Sequence, residues 1–144
     1  MAALPVAAAA VGQIDTFSTG TQGWHVGNPM NPNQPSTVAT GGPAGAGDAF
    51  LRLISDELSG PNGGNKLDVM NDAQWAGNYG SAGIGAISMD VNNMGTTDLF
   101  LRLLLETANP APGPPLNAAL TTVAQQVPAN SGWIHIVFPL MPAT

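Results

Sequence analysis

The sequence predicts an all-β protein, two antiparallel sheets packed as a sandwich of about eight short strands with little helix, and three observations carry that expectation. A hydrophobic string occurs twice, DAFLRLI from Asp48 to Ile54 and DLFLRLL from Asp98 to Leu104. Each copy is an acidic residue followed by a short apolar run broken by one arginine. Each is flanked by Gly, Asn or Pro, which punctuate strands. Next, Ile87, Met89 and Val91 alternate with Ser88, Asp90 and Asn92, and period two places the first trio inward and the second outward. Finally, 18 glycines and 13 prolines among 144 residues leave little room for long helices, while 44% apolar content is too high for a disordered linker.

Taken in order, a first strand is expected over 13–17, a turn over 18–23 and a short strand over 24–26. Residues 27–47 read as loop because Pro29, Pro32, Pro35 and Pro43 prevent a continuous ladder, with a brief strand at 37–40. The first repeat copy gives a strand over 49–55, and the Gly/Asn stretch 59–65 reads as a hairpin connection to 66–71. Strands over 86–91, 99–106, 118–127 and 133–138 complete the set. Within the copies, Leu51 and Leu53, and likewise Leu99, Leu101 and Leu103, share one face and are the better core set. Phe50, Arg52 and Ile54, and Phe100, Arg102 and Leu104, share the other. A single return of the string is too little for a solenoid.

Charge narrows the partners. Only three residues are basic, Arg52, Lys66 and Arg102, against nine acidic ones, so no positive field exists for a phosphate backbone. Charged residues are 8% of the chain, about a third of the usual share, and solubility rests on uncharged polar groups, as suits an exported protein. The absence of cysteine removes disulfides, thiolate metal sites and thiol nucleophiles together. Residues 1–13 are apolar and alanine-rich, with Ala8 and Ala10 in the small-x-small arrangement of a secretion signal; the other reading is a lightly paired N-terminal strand. The domain proper is expected over 14–144, and no segment reaches the ~20 apolar residues of a membrane-spanning helix.

Four segments in order, IDTFSTGTQGW, GGPAGAGDAFLRL, NDAQWAGNYGSAGIGAISMDVNNMGTTDLFLRLLLE and VPANSGWIHIVFPL, resemble bacterial extracellular jelly-roll modules of the galactose-binding or laminin-B-like kind. Such modules occur in exported proteins with a PEP-CTERM sorting tail. The resemblance implies a jelly-roll sandwich at the cell surface or secreted. It also implies one or two strands after 133–138, which this sequence lacks, and hence an open sheet edge available for self-association. It further implies a structural calcium ion, with Asp15 and Asp48 at the matching positions and carbonyls of the GPAGAG loop as added oxygen ligands; calcium takes six to eight oxygens. The alternative for Asp48 is a turn aspartate accepting backbone amides.

Candidate binding residues follow from side-chain chemistry. Aromatic faces stack on the C–H face of a pyranose while polar neighbours hold its hydroxyls. Trp75 lies in a loop beside Asn71, Asp72, Gln74 and Asn78, with Tyr79 following, and is the best ligand contact; the other reading makes it the plug of its own loop. Trp24 and Trp133 fit packing positions. The outward Phe/Arg rows at Arg52 and Arg102 offer a platform for a flat polar ligand such as a sugar ring, or else arginine stems lying over apolar surface. Catalysis finds no support. His25 and His135 are far apart, no carboxylate pair is selected by spacing, no nucleophile elbow occurs, and the glycine runs lack the Walker lysine. The function expected is a non-enzymatic extracellular module that binds a carbohydrate or a matrix polysaccharide. The rival is a structural, self-assembling surface protein without a small ligand.

Overall fold

The computed structural model describes residues 8–27, 29–55, 67–107 and 117–140. The chain forms two compact units, Met1–Ile84 and Gly85–Thr144. The described residues contain no helix; eight strands make four two-stranded antiparallel pairs, so the protein is all-β. No helix is long and apolar enough to cross a membrane among these residues.

In the first unit, β1 (Ser36–Val38) pairs with β2 (Phe50–Arg52), Thr37 opposite Leu51. The loop between them closes on itself. Gly42 and Asp48 bond through the Gly42 N–H and the Asp48 carbonyl at 2.9 Å, and the Asp48 carboxylate accepts the Ala44 N–H at 2.8 Å. A Cβ at Gly42 would stand 2.6 Å from Asp48 Oδ2, so only glycine lets the loop close this tightly. The strand expected over 13–17 is absent as a ladder, although its alternation survives: Gln13, Asp15 and Phe17 are half-buried, Ile14 and Thr16 exposed. Phe17 adopts φ 56° and gives its N–H to Gln22 Oε1, and that left-handed turn ends any extended run. The strands expected over 24–26 and 66–71 reduce to one bridge, His25 with Met70, bonded in both directions at 3.0 and 2.9 Å. The turn expected over 59–65 and Lys66 lie outside the described residues.

In the second unit, β3 (Ala86–Asn92) pairs with β8 (Trp133–Pro139) over seven residues, Met89 opposite Ile136. Ile87, Met89 and Val91 lie on the less exposed face and Ser88 and Asp90 on the other, as the alternation predicts, while Asn92, expected outward, is half-buried. The long strands expected over 99–106 and 118–127 are each split. β4 (Leu99–Leu101) pairs with β7 (Gln125–Val127), and β5 (Leu104–Glu106) with β6 (Ala118–Leu120). Between the pairs Leu101↔Gln125 and Leu104↔Leu120, residues 102–103 on one strand face residues 121–124 on the other. This is a bulge with extra residues on the second strand. Alternation continues across it: Leu99, Leu101, Leu103 and Leu105 are half-buried, while Phe100, Arg102, Leu104 and Glu106 are exposed. The interior of the unit centres on Val127 (0% exposed), Phe138 (2%) and Ile136.

Candidate functional site

Three clusters hold the residues that the sequence singles out. The first is centred on Asp15. Its Oδ2 accepts the indole N–H of Trp24 and that of Trp75, both at 2.6 Å, and its Oδ1 accepts Gln74 Nε2 at 2.6 Å. The two indole rings stand 6.3 Å apart at 49°. Asn71 organises the loop from beneath. It accepts the Ala73 and Trp75 N–H groups and donates from Nδ2 to the Gln22 carbonyl. Tyr79 donates its hydroxyl to the Trp75 carbonyl at 2.5 Å, and burial raises its pKa, so it remains a neutral donor. Asn78 is an exposed turn cap whose Oδ1 accepts the Ser81 N–H. Trp75 is thus held by its own N–H and carbonyl, the plug of its loop. Sequence reading placed Gln74 beside Trp75 and Trp24 at a packing position, and linked neither to Asp15. Their polarity and ring were visible, but nothing local links them to an aspartate 59 and 9 residues away.

The second set, related by the sequence repeat, is the pair of repeat aspartates, one in each unit, each of which accepts a backbone N–H. Asp48 accepts an amide four residues back, at Ala44. Asp98 reaches across 31 residues to the Ala129 N–H at 2.9 Å and also accepts Gln126 Nε2 at 2.8 Å. Those bonds, the Ala129 amide first, hold the Asp98 pKa below its usual value. Asp15 and Asp48, expected to share calcium, have no hydrogen-bond partner in common. Asp15 accepts three N–H donors through its two oxygens and Asp48 accepts one through Oδ2. Among the described residues no three acidic, histidine or cysteine side chains gather as a metal site.

The third cluster is the outward face of β4–β7 and β5–β6. Phe100 is 65% exposed, and Gln126, directly opposite it, shares its side of the sheet. Arg102 follows Phe100 on the same face, about 7 Å along the strand. Its Nη1 donates to the carbonyls of Thr121 at 2.6 Å and Thr122 at 2.7 Å, two acceptors that the bulge frees from the ladder. The guanidinium is therefore fixed, and only one of its nitrogens is engaged among the described residues. Asp98, two residues before Phe100, is bonded to Gln126 opposite that ring, and Leu104, Leu120 and Val123 are exposed apolar side chains of the same strands and bulge. Arg52, the counterpart in the first copy, is exposed at the end of β2 opposite Ser36.

His135 lies opposite Asp90 in the β3–β8 register, Nδ1 to Oδ1 2.9 Å, both exposed. No such pairing joins His135 to His25, which bonds the Gly23 carbonyl through Nδ1. No family model, curated protein or solved structure matches this chain.

Proposed function

We propose that this protein is a non-enzymatic, extracellular carbohydrate-binding module, secreted or held at the cell surface, whose ligand is a glycan or matrix polysaccharide. The observation that carries the reading is the exposed Phe100 ring on the strand face that also presents Arg102, held by two carbonyls, with Gln126 opposite the ring and bonded to Asp98. A ring face takes the C–H side of a pyranose. A guanidinium held in place, a carboxylate and an amide supply donors and acceptors for hydroxyls, with little entropy lost on binding because each is already ordered. Trp75 contributes by keeping the first unit in shape, since its N–H is committed to Asp15. A glycan array with wild type, Phe100→Ala and Trp75→Ala tests this. Binding by wild type, its loss in Phe100→Ala and folded but silent behaviour of that variant support the reading; silence of wild type across neutral and acidic glycans refutes it.

A second reading has its own observation. Leu104, Leu120 and Val123 make the same face apolar beyond the polar group, and exposed apolar surface favours contact between copies in a structural, self-assembling protein. Light scattering across a concentration series distinguishes it: a strictly monomeric protein excludes assembly through this face.

A further inference from the structure

The apolar N-terminal stretch is built into the first unit. Ala9 is 5% exposed and donates its N–H to the Ala76 carbonyl at 2.9 Å. Gln13 Nε2 donates to the Gln74 carbonyl at 3.0 Å, and Asp15 receives the side chains of Gln74 and Trp75. Residue 9 thus bonds 76, residue 13 bonds 74, and residue 15 bonds both 74 and 75, a clasp made largely of side chains. Gly77 lies against this stretch; a Cβ there would stand 3.2 Å from the Ala9 nitrogen and 3.5 Å from the Ala8 methyl.

Between Ala9 and Gln13 the chain makes a tight turn. Gln13 N–H bonds the Ala10 carbonyl at 3.1 Å, Gln13 Oε1 accepts the Ala10 N–H, and Gly12 has φ +82°, the value required of the third residue in a type II turn. The peptide bond following the Ala8-x-Ala10 sequence, Ala10 to Val11, lies inside this turn. Hydrolysis there adds one water, leaves a carboxylate on Ala10 and an ammonium on Val11, opens the turn and removes the Ala9 N–H from a carbonyl it satisfies. We infer that residues 9–15 are a permanent clasp of the folded unit, and that any leader is cut upstream of Ala9 rather than after Ala10. The small residue at 8 fits against Gly77 and the one at 10 starts the turn through its backbone, neither serving recognition by a peptidase.

The test uses the full chain, produced in a bacterium that exports it, with the N-terminus read by intact mass and the exchange of the Trp75 indole N–H followed by NMR. The first residue is expected at or before Ala9. Ala9→Asp is expected to accelerate the exchange at least about fivefold, and Gln13→Ala, which keeps the buried methyl, by a similar factor, the loss of one net hydrogen bond. Ala10→Asp, with an exposed side chain, is expected to leave it unchanged. A chain beginning at Val11, or exchange in both Ala9→Asp and Gln13→Ala equal to wild type, overturns the inference.

Discussion

Asn93 does in the second unit what no neighbouring residue does. It is 5% exposed, and its side chain makes three bonds: Nδ2 donates to the carbonyls of Thr97 and Val127, and Oδ1 accepts the Gly95 N–H, while its own N–H bonds Ser131 Oγ. Replacement by alanine strands acceptors and a donor inside, so Asn93→Ala is expected to lose about 2–3 kcal/mol in a urea melt, against under about 0.5 kcal/mol for the exposed Thr96→Ala. Period two carried on from Ile87, Met89 and Val91 turns Asn93 inward, but nothing along the strand names its partners at Gly95, Thr97, Val127 and Ser131. Asp98 is the pH-sensitive counterpart. Its folded pKa lies below the unfolded value, so its stabilisation is complete above the ordinary aspartate range and is lost as pH falls through that range to the lowered value. Asp98→Asn is expected to flatten this acid limb of stability and leave the neutral region nearly level, as read by thermal melts at stepped pH.

At the scale of elements, the leucine rows were legible and their interruptions were not. Period two in a single strand suffices to sort Leu99, Leu101 and Leu103 from Phe100, Arg102 and Leu104, and the burial follows that sorting. The bulge depends on the partner strand, where TTVA must be accommodated opposite two residues, and a pattern read along one strand carries no count of the other. Arg102 then acquires a task invisible in the repeat, because Arg52 has the same neighbours in sequence without a bulge opposite it. Arg102→Ala leaves the Thr121 and Thr122 carbonyls to water and is expected to cost about 1 kcal/mol, with faster amide exchange at Leu103 and Thr121, whose bonds close the bulge at 3.1 and 3.0 Å; unchanged exchange there would show that the arginine is not its clamp. In the first unit the expected strands at 13–17, 24–26 and 66–71 gave way to side-chain bonds. The signal for extended backbone was correct in alternation, but turns at Phe17 and Gly23 leave too few consecutive residues for a ladder.

For the molecule as a whole, composition and punctuation were enough to foresee an all-β protein, since glycine and proline every few residues permit short strands and little else. The candidate sites were only half legible: residue types at Trp75, Tyr79, Asp15 and Arg102 were visible, while their partners lie 60, 4, 9 and 19 residues away. Phe138 and Val127 are the largest side chains fully shielded from solvent, and Phe138→Ala is expected to cost the second unit about 3–5 kcal/mol, checked by denaturant unfolding followed through far-ultraviolet ellipticity. Melting with chelator and then with added calcium tests the ion expected at Asp15 and Asp48: a shift supports it and superimposable curves refute it. The shared carboxylate beneath Trp24 and Trp75 has an optical consequence. Two chromophores locked at a fixed tilt couple their electronic transitions and acquire a chiral signature that a freely rotating pair averages away. The protein therefore carries an intrinsic, label-free reporter of its amino-terminal half, one that Asp15→Ala should extinguish while the signal from Trp133 persists.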